Sequence, residues 1–526
     1  MRSDAAATPG PDAAGGPTDA AAAQHADAAS SADAAALAGS DAATPGLDAA
    51  EPGPDAGPAW TEVRGLVHMH SAYSHDGCDS QGFDDAGVLN RSCVDELRAM
   101  PCDNHLSFVA LTDHPSNMKE HTLLEDLLYQ AGDQLALDGQ GEPIGNLITC
   151  PDGHQVLFMV GFEGTHTAPL GLHRVPQDPA LFGSLVDSAP LAENQATVQG
   201  LKDLGAVAAI VHSEEPDLSA QRLLDSGVEA MEWYNVHASI LALTGSDQIG
   251  GEALAVLDLL KSFEPFLLGS KSGANPDLLF LSILPNMPAG GFDKWNQVQL
   301  TRRVSGMLGS DIHRNVSVDP VCSGAWKYVC QGAAALYPNT LTLLVNGGPV
   351  VLSDGDRLDS YGRIGRWLEN RLQVTSLTPE GFAEALRAGR NYGLFAVFGG
   401  AEGFAFTARS YAKTIAMGGS GAGPLELRVQ VPARPVQLDG AAFTAAQADR
   451  AQIKVRIIRG EASGPVVVRE TTQPGELVSG TVSVPGPYHV EIWIRPLHLT
   501  QALGSETQLA DHDFLWVVSN PIWLEP

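Results

Sequence analysis

Six short apolar runs, each closing on a histidine, an aspartate or a glutamate, constrain the fold of this chain more than any other feature. They are "GLVHMH", "SFVALTDH", "QVLFMVGFEGTH", "AVAAIVHSEEP", "GVEAMEWYNVH" and "VSGMLGSDIH", between residue 60 and about residue 320. Each is apolar enough to be buried on both faces, as parallel strands are. Helical patterns alternate with them, among them "VLNRSCVDELRAM", "NQATVQGLKDLG" and "GEALAVLDLLKSF". Strand followed by helix, repeated, predicts a parallel α/β sheet or barrel, with "DLLFLSILP" available as a seventh strand. The polar endings fall at the C-terminal ends of the strands, where the loops of such a barrel converge on one pocket. Core strands with no further task would scatter their polar residues instead.

The rest of the chain sets the boundaries. Residues 1 to 59 are almost entirely Ala, Asp, Pro, Gly, Ser and Thr, with nine acidic residues against the single basic Arg2 and no aromatic before Trp60. Such a segment buries too little apolar surface to offset the entropy of ordering, which predicts a disordered tether. Residues 60–424 are expected to form the α/β domain. From about Leu425 to Pro526, "LELRVQV", "QIKVRIIRG", "GPVVVRET", "PGPYHVEIWIRP" and "DFLWVVSNPIWL" alternate between turn residues and predict an antiparallel β-sandwich, residues 425–526. The Gly-rich "MGGSGAGP" ahead of it reads as a linker, because it precedes no helix and lacks the Lys-Ser/Thr of a phosphate-binding loop. Residues 115 to 155 read as an acidic, solvated helical insertion.

Charge and cysteines narrow the function classes. The formal net charge of -31 disfavours binding a nucleic-acid duplex or anionic lipid through a broad basic face, and leaves a small anionic substrate held by local cations. No run of about 18 apolar residues predicts a transmembrane segment, and no charged n-region leads into an apolar h-region as in a signal peptide. Six cysteines, none in a Cys-x-x-Cys pair, suit disulfides, with Cys322 and Cys330 the nearest local pair. A low-complexity tether and paired cysteines predict an exported, extracytoplasmic protein tethered at a surface, whose start lies upstream of Met1. The oligomeric state is not legible.

The polar endings, taken in order, are more specific than any one of them. In "GLVHMHSAYSHDG", His68 and His70 face the same way on a strand, a separation that lets both reach one ion. Asp113-His114, Glu163, His212 and Asp311-x-His313 follow. In that order and setting they resemble the PHP family of polymerase and histidinol phosphatase domains, over roughly residues 60 to 320. "ALRAGRNY" and the ending "VVSNPIWLEP" resemble a secreted branch with a C-terminal β domain. The resemblance implies a distorted (β/α)7 TIM-like barrel holding two to three divalent ions. It further implies that His68, His70, Glu163 and Asp311 hold the first ion. Glu163 would bridge to a second ion, completed by His212 and either His173 or His166, with His173 favoured by family spacing. His114, His313 and either His75 or Asp76 would hold the third. The family's Ser-Asp-Gly is replaced here by "SHDG", which leaves that last place open.

Imidazole and carboxylate without thiolate suit Zn, Mn or Fe, and a bridging carboxylate holds two ions close enough to share a water. The expected activity is a metal-dependent hydrolase, foremost a phosphoesterase in which metal-activated hydroxide attacks phosphorus in line. Its rivals are a carboxylic or carbamate ester hydrolase on the same site and a non-catalytic, metal-stabilised surface protein. Asp113 is expected to orient His114 or a metal water. Arg314 would clamp a phosphate oxygen or, equally, pair with a surface carboxylate. His237, at the end of another run, is expected to line the pocket.

Overall fold

The computed structural model describes residues 60–526 apart from 116–120, 165, 176–194, 245–260, 287–289, 319, 321, 323–327, 329, 331, 333–335 and 412. The tether expected over residues 1 to 59 lies outside the described residues, as does most of "GEALAVLDLLKSF". The fold is mixed α/β, strand-rich, and built on a large sheet.

The six apolar runs supply strands β1 (Thr61–Met69), β2 (Phe108–Leu111), β5 (Gln155–Val160), β7 (Val207–Ile210), β8 (Ala230–Asn235) and β9 (Ser305–Ile312). Between β2 and β5 come β3 (Gln134–Leu137) and β4 (Pro143–Thr149), and β6 is Thr167–Leu170. The pairings β7–β8, β8–β9, β9–β1, β1–β2 and β2–β5 are all parallel. Residues 108–111, 207–210 and 305–312 are buried throughout, which is why their sequences show no polar alternation. Helices Arg91–Asp103 and Gln195–Asp203 lie where their periodicity puts them.

Two expectations fail. "DLLFLSILP" is helical, in consecutive turns from Pro276 to Asn286, and Asn275 caps its start by accepting from the Asp277 N–H. An apolar run of that length fits a buried helix as well as a buried strand, and Phe280, Leu281 and Ile283 are buried there. The insertion over residues 115 to 155 is chiefly a hairpin rather than a solvated helix. Leu123–Asp126 is a short helix started by a Thr122–Glu125 capping box, and β4 then pairs antiparallel with both β3 and β5.

The sheet continues on the other side of β1. After the short pair β10 (Ser317–Val318) and β11 (Gly348–Pro349), β12 (Glu369–Val374) runs antiparallel to the first half of β1, whose second half pairs with β9. Beyond β12 lies β13 (Asn391–Leu394). The C-terminal runs form β14 (Ala405–Arg409), β15 (Thr414–Ala416), β16 (Ser420–Ala422), β17 (Leu425–Val431), β18 (Gln452–Arg459), β19 (Val466–Thr471), β20 (Gly475–Val482), β21 (Gly486–Arg495), β22 (Phe514–Ser519) and β23 (Ile522–Glu525). Part of the Gly-rich segment read as a linker is thus strand, since β16 pairs parallel with β23. β15-β14-β17-β20 make one antiparallel sheet. β22 pairs with β13, and β21 with β22 and β18, so the strand ladder started at β1 runs on through the C-terminal part.

Candidate metal centre

Every one of the six parallel strands delivers a polar side chain at its C-terminal end. β1 ends in His68 and His70, β2 leads into Asp113 and His114, β5 into Glu163, β7 into His212, β8 carries Glu232 and Asn235, and β9 ends in Asp311 followed by His313. The backbone is bent to aim them. His68 has φ of 60° and sits where the register of β1 shifts against both β2 and β9, between Val67 and Met69. A bulge of this kind turns a side chain away from simple alternation. His212 and Asp311 also have positive φ, 50° and 51°. Left-handed backbone at a non-glycine residue costs on the order of 1–3 kcal/mol and persists where the surroundings over-determine it. Three such residues meet in one cluster.

In that cluster four buried atoms converge. His68 Nε2 lies 3.4 Å from Glu163 Oε2 and 3.2 Å from Asp311 Oδ1, while His70 Nε2 lies 3.0 Å and 3.3 Å from the same two oxygens. None of the four has a hydrogen-bond partner. Buried polar atoms are almost always paired, so four orphans facing one point mark the place of a missing partner. Ligand atoms held about 2.0–2.2 Å from one ion lie about 2.8–3.6 Å from each other, which is the spacing seen. The donor set, two imidazoles and two carboxylates, fits a divalent cation.

Glu163 reaches further with its other oxygen. Oε1 lies 2.7 Å from His212 Nε2, which is itself 3.5 Å from Asp311 Oδ2. One carboxylate therefore faces two groups of imidazoles, as a bridge does. A third group, His70, Asp76, His114 and His313, brings its ligand atoms within 4.8 Å of one another. There Asp76 Oδ2 stands 3.2 Å from His313 Nε2 and 3.4 Å from His114 Nε2. Between the open alternatives, Asp76 is placed in this group. The His75 ring lies beside it, 4.8 Å from that of His114.

The electrostatics describe a cage that demands positive charge. Burial pushes the Glu163 and Asp311 carboxyls up, but the facing imidazoles outweigh it and hold both well below the carboxylate range. Burial likewise lowers His68 and His212, yet Asp311 and Glu163 raise both well above the ordinary histidine value, with Glu232 adding to His68. Asp76 is opposed by burial and held far down by its bonds to His114 and His313. In the metal-free chain, protons supply the positive charge that a cation would bring.

Other candidates fall elsewhere. His173 is not brought to the cluster. β6 runs antiparallel to β7 and carries the chain back to the opposite end of the strands, where the His173 ring packs against Gly205 and the His173 backbone N–H donates to the Leu204 carbonyl. His166 lies just before that reversal, buried, with Nε2 3.3 Å from Glu215 Oε2 and its carbonyl accepting from Val211 N–H beside His212. The Asp113 carboxylate is occupied by Ser71, accepting from its N–H and, at 2.7 Å, from its hydroxyl, so it fixes the turn after His70. Arg314 Nε pairs with Glu96 Oε2 at 2.7 Å, which engages the guanidinium expected to clamp a phosphate. His237 lines the group, its ring 5.0 Å from that of His313, and burial lowers it to about 4, so it is neutral near pH 7.

Two residues of the site were not singled out from the sequence. Glu232, fully buried, accepts from His68 Nδ1 at 2.6 Å through Oε2, and its Oε1 accepts from Asn235 Nδ2 at 2.9 Å and His212 N–H at 3.2 Å. Asn235 Nδ2 also donates to Asp311 Oδ2 at 3.0 Å. A carboxylate holding the far nitrogen of a histidine fixes its tautomer and ring plane, leaving Nε2 free to ligate. The signal was a glutamate inside the apolar run "GVEAMEWYNVH".

No family model and no curated protein matches this chain. Among solved structures it is similar to a two-domain protein from Bacteroides vulgatus containing a predicted PHP-like metal-dependent phosphoesterase, at 12% identity and a TM-score of 0.29, over 87% of this chain and 96% of that one. A likeness that weak leaves fold and chemistry to be argued from this chain's own residues.

Proposed function

We propose that this chain is a metal-dependent hydrolase acting on phosphoesters, with two to three divalent ions at the ends of its parallel strands. The observation that carries the reading is the set of four orphaned buried ligand atoms, on His68, His70, Glu163 and Asp311, at ligand spacing. Glu163 and His212 would share a second ion, and Asp76, His114 and His313 would hold a third. Bound there, such ions lower the pKa of water toward about 7 and offset charge on a phosphoryl group. The chain's own residues do the positioning. Glu232 and Asn235 hold His68 and Asp311 in place, Asp113 fixes the turn after His70, and neutral His237 offers a hydrogen bond at the rim without adding charge.

Two further parts of the proposal have structural support. For a seven-stranded barrel, the Leu172 N–H bonds to the Val160 carbonyl at 2.6 Å, linking the end of β5 to the segment after β6, which pairs with β7. For an extracytoplasmic location, disulfides join Cys78 to Cys93, Cys102 to Cys150 and Cys322 to Cys330, a full complement suited to an oxidising compartment.

The test is a substrate panel on metal-loaded protein, comparing nitrophenyl phosphate, its bis-ester and nitrophenyl acetate. Turnover of a phosphoester that a chelator abolishes is expected. Turnover of the acetate alone would move the site to carbon esters, and full metal occupancy with no turnover of any of the three would favour the non-catalytic scaffold.

A further inference from the structure

A second cluster of metal-ligating side chains lies on the surface, on residues that take no part in the centre described above. His105 follows helix Arg91–Asp103, Asp152 and His154 form the turn between β4 and β5, and Asp439 belongs to the segment between β17 and β18. The Asp152 carboxylate reaches both histidines, with Oδ2 3.0 Å from His105 Nε2 and Oδ1 2.6 Å from His154 Nδ1. The two rings stack at 5.0 Å. On its other side, His105 Nδ1 is 2.6 Å from Asp439 Oδ2.

We infer that His105, Asp152 and His154 form a surface zinc site, with Asp439 as the carboxylate that orients His105. Two imidazole nitrogens and a carboxylate are a common zinc donor set, with water completing the coordination. The Asp439–His105 contact is the carboxylate–histidine arrangement that commonly backs a metal ligand, holding Nδ1 as the donor and turning Nε2 toward the ion. The backbone that presents these ligands is fixed on both sides. His105 has φ of 50°, and its carbonyl accepts from Arg64 Nε at 2.8 Å, beside the Asn104 carbonyl, which accepts from Arg64 at 3.1 Å. The disulfide Cys102–Cys150 ties the segment before His105 to the strand end before Asp152. His154 N–H donates to Asp152 Oδ1 at 3.1 Å, which shapes the turn. A bound ion would tie the β4–β5 turn to the end of the helix and, through Asp439, to the C-terminal part of the chain.

Zinc stoichiometry of the full-length, disulfide-intact protein tests this. After loading with zinc sulfate and desalting, His154→Ala and Asp152→Ala should each hold one zinc per chain fewer than wild type, while metal-dependent turnover stays within about twofold. Asp439→Asn should keep the site but weaken zinc binding by about 10- to 100-fold, as loss of a backing carboxylate does. The inference is overturned if the His154 and Asp152 variants, folded by circular dichroism, retain wild-type zinc. It is also overturned if Asp439→Asn binds zinc as tightly as wild type and His105→Ala loses no ion.

Discussion

Two regions of this molecule each centre on a fully buried ionisable side chain, Arg363 in one and His68 in the other, and treat it in opposite ways. Around Arg363, which is fully buried, each guanidinium nitrogen is used: Nη1 pairs with Asp277, Nη2 donates to both oxygens of Asp354 at 2.8 and 2.9 Å, and Nε donates to the Arg357 carbonyl at 2.8 Å. Around Glu163 the imidazoles and carboxylates meet with their key atoms lacking hydrogen bonds and their backbone strained. The first pattern is complete as protein and stabilises by being complete. The second is complete only with something added. Burial of charge by itself therefore says little, and what distinguishes these two buried groups is whether the donors and acceptors close on one another.

That contrast breaks first at Arg363. Arg363→Met removes the fully buried member of a bonded network whose Asp354 is partly exposed and whose Asp277 keeps Arg366, and should cost about 1–3 kcal/mol of folding stability, read by urea denaturation, with metal stoichiometry of the folded fraction unchanged. A loss below about 1 kcal/mol would mean that the network is no more than a surface ion-pair set.

In the cage, the expected effects appear in metal binding. Glu232→Gln keeps the shape but weakens the hold on His68 Nδ1, and should lower affinity for the first ion by about 10- to 100-fold, measured by competition with a chelating dye. Unchanged affinity would show that Glu232 does not position His68 for the ion.

How much of this was legible beforehand follows from the same physics. The six parallel strands could be read because strands buried on both faces have nearly continuous apolar sequences, and the rim because its residues interrupt that pattern at the ends. Glu232 was hidden by its own burial, since nothing in "GVEAMEWYNVH" separates it from Glu229 or shows its partners, and those partners, His68 and His212, lie 164 and 20 residues away. His173 was misplaced because spacing along the chain does not reveal that β6 reverses direction. "DLLFLSILP" and the β3–β4 hairpin failed where local pattern suits both helix and strand, and tertiary packing decides.

A smaller effect is the pH dependence. His68 and His212 are raised above their ordinary value, so their contribution to the metal-free fold is full below about pH 6.5 and is lost as pH rises through the folded values. Glu163 and Asp311 are depressed, so theirs is present above about pH 4 and is lost as pH falls through the folded values. Chelator-treated protein should therefore have its highest thermal midpoint on the acidic side of neutrality, whereas metal binding, which displaces those protons, should tighten as pH rises. A metal affinity that does not change between pH 6 and 8 would contradict the cage electrostatics. The smallest effect is expected at His237, where His237→Ala should leave metal content unchanged because the ring lies beside the group of ligands rather than among them.

Metal analysis of wild type beside Glu163→Gln decides whether Glu163 bridges two ions. Glutamine keeps the size but not the charge that holds two cations together against their repulsion. Purified wild type supplied with Mn, Zn or Fe should carry at least two ions per chain, and Glu163→Gln should lose at least one of them, with an unchanged circular dichroism spectrum and turnover lower by about 10²-fold or more, as when a group stabilising transition-state charge is removed. Full metal occupancy and near-normal turnover in Glu163→Gln, or a wild type that binds no ion, would contradict it.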